Sequence, residues 1–568
     1  MLQSAWKYSV YADNRKLDIK FKFNYEYIFY IAFGVSALEK PPYSDEFYEV
    51  MLENESTLQN EFGITDVKVC HLKNSSLVVA YIPADVYRQV ISQRGSFEGA
   101  LIAGAPIIMG LTDTEFNSAI DVYRLRDSPI DLRGQNTIIG IVDTGINYKN
   151  EEFIREDGTS RILNIWDMTI DSDDDRVCFG TEFSNEELTN QSAETSDEVG
   201  HGTKMAEVAG GRSGVAPNCE FIVVKLKRAK KTILDLYGLS SDIESYESSD
   251  VVLGIDYLVT KSIEYRKPIS IILGLGTNQG GHDGLTIIER ILSQMALRIG
   301  VGISVAAGNE ALSGHHTSFT LEGASPYYDI EINVANNEKS FPVWVWNSLF
   351  SEIEVSIISP LGEETGRIPT RNNFMNTYNF NISLTSVRVS YELPASWGRD
   401  QRTTLVFNNP IAGVWKIRVY NTGVTGVVNS WLPTNGFIKR DTRFLNPDPY
   451  TTVTVPSTAN YIMCVGAFDP STKTVYSTSG RGPTRQGIVL PSFVAPSDVS
   501  TSVATAVNGG ATALMLEWGL NRINNLNINS LAILEYITRS ATKNLEDIYP
   551  NIISGYGRLN IFNAIASI

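Results

Sequence analysis

Between Thr137 and Ala307 the chain alternates short, continuous apolar runs with amphipathic stretches. The runs Thr137 to Val142, Phe221 to Leu226, Ile269 to Leu273 and Gly302 to Ala307 are rich in β-branched residues, and helical periodicity fills Ser249 to Arg266 and Leu285 to Ile299. Such βα alternation predicts a parallel sheet covered by helices on both faces. From about Pro326 to Tyr450 the pattern changes to short alternating segments separated by turn residues: Ile330 to Val334, Phe341 to Trp346, Glu352 to Ile358, Val387 to Glu392, Thr403 to Phe407 and Val414 to Tyr420. These predict an all-β sandwich. The first pattern returns at Tyr461 to Ala467 and ends in a long apolar helix, Val503 to Trp518, so the sandwich is an insertion into the sheet unit. Ahead of all this, strand-like runs (Leu17 to Phe23, Val67 to Leu72, Leu77 to Ile82) and a charged helical stretch from Asp45 to Phe62 predict a small α+β unit, joined on by the Gly- and Ala-rich Gly95 to Gly110. Small-residue connections of this kind are where proteolytic nicking concentrates. The predicted organisation is thus 1–105, 106–325, the insertion 326–452, and 453–568.

Composition narrows the class. With 568 residues the chain exceeds one ordinary domain, and 43% hydrophobic with 20% charged residues is globular. A formal charge of −17 argues against nucleic acid or an anionic membrane as partner. Cys70, Cys178, Cys219 and Cys464 are widely spaced, and they are expected to be buried thiols rather than a disulfide framework. The apolar Tyr27 to Leu38 lies late for a secretory signal and is too short to span a bilayer, so no signal peptide and an intracellular or spore-associated protein are expected.

Four polar groups stand where apolar segments end. Asp143 closes the run Thr137 to Val142, His201 lies between Gly200 and Gly202 at a helix start, and Ser502 opens the helix to Trp518. Asn309 follows a buried strand in Ala306-Ala307-Gly308-Asn309. One acid, one imidazole and one hydroxyl in the order Asp, His, Ser can make a serine nucleophile, its base and the group that orients the base. The Asn309 amide is a donor of the oxyanion-hole kind. Two other clusters point elsewhere. Asp171, Asp173, Asp174 and Asp175 lack the glycine and terminal glutamate of a calcium loop and read as a solvated loop. His315 and His316 read as a surface loop rather than a metal pair. No metal and no cofactor is expected.

These segments resemble the subtilases, the subtilisin-like serine peptidases. The resemblance spans about 106–325 and 455–568 and implies Asp143, His201 and Ser502 as triad, Asn309 in the oxyanion hole, and Leu273-Gly274-Leu275-Gly276 as the strand that pairs with an extended protein substrate. Gly274 stands where the family usually has serine. Gly276 to Gly284, Trp431-Leu432-Pro433 and Leu516-Glu517-Trp518-Gly519 are similar to the clostridial Csp germination proteases, which implies a zymogen with an N-terminal prodomain, an inserted jelly roll, and activation of a spore-cortex hydrolase by limited proteolysis. The prodomain is then a partner of its own catalytic unit, cut within about 105–114. One departure stands out. Only five residues separate Pro496 from Ser502, with Ser500 and Ala506 in place of the family's glycine and proline. Six extended steps still reach about 20 Å, so the serine can be delivered, but the wall beside it must be rebuilt. A pseudoprotease that binds or regulates is the alternative reading.

Overall fold

A computed structural model describes residues 41–94, 103–104, 106–109 and 119–568, apart from short breaks at 57, 60–63, 65–66, 128, 173, 323–325, 373, 396–399 and 423. The expected strand Leu17 to Phe23 and the apolar Tyr27 to Leu38 lie outside the described residues.

The centre of the molecule is an eight-stranded sheet in the order Phe493–Pro496, Met463–Phe468, Val301–Ala306, Ile269–Leu273, Ile138–Asp143, Glu220–Lys225, Ile162–Asp167, Thr181–Ser184. Every pairing is parallel except the last. Strands buried on both faces need two apolar layers, and the core divides accordingly. On one side His201–Gly210 and Thr501–Leu516 pack through Met205, Ala206, Val503 and Val507; on the other, Ser248–Tyr265 and Ile287–Met295 pack through Val252, Ile255, Ile288 and Ile291. The Thr181–Ser184 edge and its neighbour Ile162–Asp167 were not foreseen, because Asn164, Asp167 and Glu182 interrupt the apolar runs while being buried.

Between Val301–Ala306 and Met463–Phe468 the chain builds two antiparallel sheets, of six and four strands. The expected strands are present, together with His316–Leu321, Phe374–Phe380, Gly426–Trp431 and Arg443–Phe444. Their facing sides enclose Phe341, Phe407, Trp415 and Ile417. Trp344, Trp346 and Trp431 form a separate buried group, and His282, from the segment after Ile269–Leu273, stacks on Trp431 at 4.2 Å. The sandwich is therefore seated on the central unit through aromatic rings. Contrary to expectation, His315 and His316 are buried at this seam. His316 also stacks on Trp431, at 4.7 Å, and His315 Nδ1 meets Glu310 Oε2 at 2.9 Å.

The N-terminal unit is a four-stranded sheet, Lys68–His71, Val78–Pro83, Phe47–Leu52 and Ala103–Gly104, with the helix Ala84–Arg94. The stretch expected as a helix, Asp45 to Phe62, holds the strand Phe47–Leu52 instead, since Val50 and Leu52 pack against the unit's own core on one face while Met51 faces the central unit. A second correction concerns the cysteines. Cys70 and Cys178, 108 residues apart, form a disulfide with Cα atoms 5.7 Å apart, joining the N-terminal sheet to the loop before Thr181–Ser184. Cys219 and Cys464 are buried thiols, as expected.

The two units also share a buried charge cluster. Glu49 contacts Lys227 and Lys230, each at 3.1 Å, and Lys227 meets Asp250 at 2.9 Å and Glu247 at 3.8 Å. Three carboxyls thus face two ammonium groups, which favours protonation of a carboxyl in this buried site. Burial raises Glu49, but Lys227 and Lys230 outweigh it and hold it at about 2. Burial, aided by the Glu49 charge, pushes Glu247 up to about 8 and Asp250 up to about 7. A carboxyl raised by docking imposes no penalty below its ordinary range; the penalty grows as pH rises and levels off above the raised value. Docking should accordingly weaken as pH climbs from about 5 to 8, by up to about tenfold per unit. Urea unfolding of the N-terminal unit, followed across that window, checks this: Asp250→Asn should flatten the slope, and a slope of opposite sign would contradict the charge count.

Candidate active site

Asp143 is the last residue of Ile138–Asp143, and His201 is the first of His201–Gly210, on a helix whose N-terminal cap, Gly200, has φ 86°. Only glycine adopts that left-handed turn without cost. His201 Nδ1 lies 2.7 and 2.9 Å from the two Asp143 oxygens, with both side chains buried. A carboxylate only accepts, so Nδ1 carries the proton and Nε2 is left as the base. The approach depends on Gly202, where a Cβ would stand 2.2 Å from Gly145 O and 3.1 Å from Asp143 Cβ.

Asp197, which the sequence reading missed, ties this corner together. Its carboxylate accepts from Thr144 Oγ1, Gly200 N, Thr203 N and Thr203 Oγ1 at 2.7–2.9 Å. Thr144 Oγ1 in turn accepts from Gly202 N at 3.0 Å. Asp197 touches neither His201 nor Ser502 in these bonds; it fixes the two loops that carry the pair. An acid followed by glycine and histidine within four positions was the available signal.

Ser502 is the second residue of Thr501–Leu516 and fully buried; its Oγ donates to Gly274 O at 3.1 Å. A Cβ placed on Gly274 would lie 2.9 Å from His201 Cε1 and 3.3 Å from Ser502 Oγ, so imidazole and hydroxyl flank the same point. The absent side chain at 274 leaves the two free to approach. Asn309 bonds to the first residue of the same helix. Its Oδ1 accepts from Thr501 N at 3.1 Å, which leaves Nδ2 as the outward donor, and Thr501 Oγ1 accepts from Gly308 N at 3.1 Å.

Beside these groups opens a cavity of about 110 Å³, lined by Gly274, Leu275, Gly276, Ala306, Gly308, Asn309, Glu310 and Thr454 and closed by Thr434 and Asn435. The last two follow the sandwich strand Gly426–Trp431, so the insertion supplies part of the wall. Asn435 N and Nδ2 hold Glu310 Oε1 at 3.0 and 3.1 Å. Burial raises the Glu310 carboxyl, but its bond to His315 prevails and holds it below the usual range. Leu273 ends its strand at the cavity, and Thr277 returns to the sheet unit by bonding Val455 in both directions at 2.9 Å. Gly274 to Gly276 are thus a short buried segment that lines the cavity between two anchored ends. A second edge, Tyr246–Glu247, is occupied: Ile108–Met109 pairs with it antiparallel, and Ile107 and Ser248 exchange bonds of 2.9 Å. Burial first, then the Glu244 charge and its hydrogen bond, and last the Asp143 charge raise the pKa of the Tyr246 hydroxyl. Gly110, Leu111 and Thr112 of the same connection lie outside the described residues.

Of the acidic run, Asp174 is engaged by Arg176 at 2.7 and 2.8 Å and by Glu182 N at 2.8 Å. Among the described residues no three His, Cys, Asp or Glu side chains are grouped to hold a metal, and no helix is long and apolar enough to cross a membrane.

Residues 134–329 match the model of the subtilase family, a span that includes Asp143, His201 and Asn309 and ends where the sandwich takes over. No curated protein matches the chain by sequence. Among solved structures, the CspB protease of Clostridium perfringens is 25% identical with a TM-score of 0.69, over 78% of this chain and 95% of that one. The epidermin leader peptide processing serine protease of Staphylococcus aureus aligns over 92% of this chain and 98% of its own, at 13% identity and a TM-score of 0.44. Residues 134–329 thus match the subtilase family of serine peptidases, and the chain is similar in fold to the CspB protease over 78% of its length.

Proposed function

We propose that the chain is an active serine endopeptidase with Asp143, His201 and Ser502 as its triad. The observation that carries the reading is the Asp143–His201 pair, 2.7 Å apart in a buried corner that abuts Ser502 Oγ. In the reaction His201 Nε2 takes the Ser502 proton as Oγ attacks the substrate carbonyl, and Asp143 stabilises the imidazolium without accepting its proton. Asn309 Nδ2 donates to the oxyanion. Collapse of the tetrahedral intermediate passes the proton from His201 to the leaving amine, and water then resolves the acyl-enzyme by the same steps in reverse. Leu273, Gly274, Leu275 and Gly276 bind the acyl side of an extended protein substrate, the side chain next to the scissile bond entering the cavity beside Gly274.

The N-terminal unit acts as prodomain. The antiparallel pairing of Ile108–Met109 with Tyr246–Glu247 supports this reading, in which the connection just beyond it is the first bond offered. High local concentration favours that intramolecular cut. Likeness to a Csp protease supports a protein precursor as the later substrate, with activation of a cortex hydrolase in spore germination as the role. Two measurements on fresh protein test this. A fluorophosphonate probe should label Ser502, and intact mass after reduction should show a fragment of about 105–112 residues beside the remainder. An unlabelled, uncut chain would leave the second reading, a pseudoprotease that binds or regulates. One observation favours that alternative: the backbone N–H of Ser502 is already engaged, by Ser500.

A further inference from the structure

The five residues between Pro496 and Ser502 are folded into a turn closed by serines. Ser497 Oγ accepts from Ser500 N at 3.1 Å and donates to Ser500 O at 2.5 Å. This fixes the Ser500 backbone in an extended conformation, φ −103° and ψ 138°, as the N-terminal cap of Thr501–Leu516. Ser500 is buried, and its own Oγ accepts from Ser502 N at 3.1 Å. At a helix start such a bond satisfies a donor that has no partner inside the helix. Here the donor belongs to the residue whose Oγ would attack.

The attack geometry makes that bond consequential. Ser502 Oγ joins the substrate carbonyl carbon, so the new oxyanion forms within reach of the nucleophile's own amide, with Asn309 Nδ2 on the other side. A backbone N–H has one proton, and Ser500 Oγ holds it. Thr501 N cannot substitute, because it is bonded to Asn309 Oδ1.

We propose that Ser500 is a positioning residue that restrains this enzyme: its hydroxyl occupies the Ser502 N–H and competes with the oxyanion for it. The inference rests on the protease reading above. Two limits follow. If the hydroxyl swings away as charge develops, one neutral hydrogen bond is exchanged at each turnover, slowing the reaction about fivefold. If the hydroxyl stays, the whole donor is lost, at about 10²- to 10³-fold. Glycine at this position removes the competitor and remains a serviceable helix cap.

The test compares rates of inactivation by a fluorophosphonate, whose P=O oxygen occupies the same hole, for wild type, Ser500→Gly, Ser500→Ala and Ser500→Gly/Ser502→Ala. Maximal inactivation should be at least about fivefold faster in Ser500→Gly, with the concentration for half-maximal rate unchanged and labelling absent from the double variant. Ser500→Ala should also gain, and it decides the matter if the glycine variant does not fold. A purely structural cap would give the opposite sign, since losing it could only slow the enzyme. A silent wild type with a labelled Ser500→Gly would show the competition to be complete. Equal or slower labelling of the variants beside a labelled wild type overturns the inference and leaves the protease reading standing. No labelling of any folded variant ends the protease reading, and the inference with it.

Discussion

Ser502→Ala and His201→Ala should each lower peptide-bond cleavage by about 10⁴- to 10⁶-fold and abolish fluorophosphonate labelling, without lowering the unfolding midpoint appreciably. The serine variant removes one hydroxyl whose described bond is to Gly274 O, and the helix start is still capped by Ser500. The histidine variant leaves Asp143 with Thr144 N at 2.7 Å as a remaining donor, so the carboxylate is not stranded. Combining the two should cost little more than either alone, because the hydroxyl is useless without its base. Labelling of the Ser502→Ala protein at the wild-type rate would place the nucleophile elsewhere. Activity measurements alongside circular dichroism separate chemistry from folding.

Asn309→Ala should reduce kcat by about 10²- to 10³-fold while leaving KM within a few-fold. The Nδ2 donor is oriented before substrate arrives, since Oδ1 is held by Thr501 N, and it meets charge that exists only in the transition state. Asn309→Asp is the sharper control. It keeps the acceptor for Thr501 N and replaces the donor by an anion, so it should be at least as impaired as alanine. A loss confined to KM in either variant would assign Asn309 to ground-state binding instead.

Much of this arrangement was legible in the chain because buried parallel strands write continuous apolar runs, and the polar residue ending each run is conspicuous. Asp143, His201 and Asn309 stood out for that reason, and His201 also for its flanking glycines. The rest depended on distance through space. Asp197 works by tying its own turn, at Gly200 and Thr203, to Thr144, 53 positions away, and that partner is not marked in the sequence. Phe47–Leu52 was mistaken for a helix because Glu49 breaks its apolar pattern; that carboxylate is buried against Lys227 and Lys230, partners 178 and more positions away. His315 and His316 looked like a polar loop, yet Glu310, five positions before His315, and the distant Trp431 indole make their burial tolerable. The shortened approach to Ser502 was visible as a deletion; that serine side chains close the turn was not.

The Cys70–Cys178 bridge changes what a cut in the connection can accomplish. Both halves of such a molecule would still be one covalent object, so dilution could not part them and the N-terminal piece would face the cleft at an effective concentration set by its tether. The nicked form would be heavier by one water and would migrate on a denaturing gel as a single band until a thiol is added. Liberation of the cleft would then be a matter of electron supply rather than of affinity.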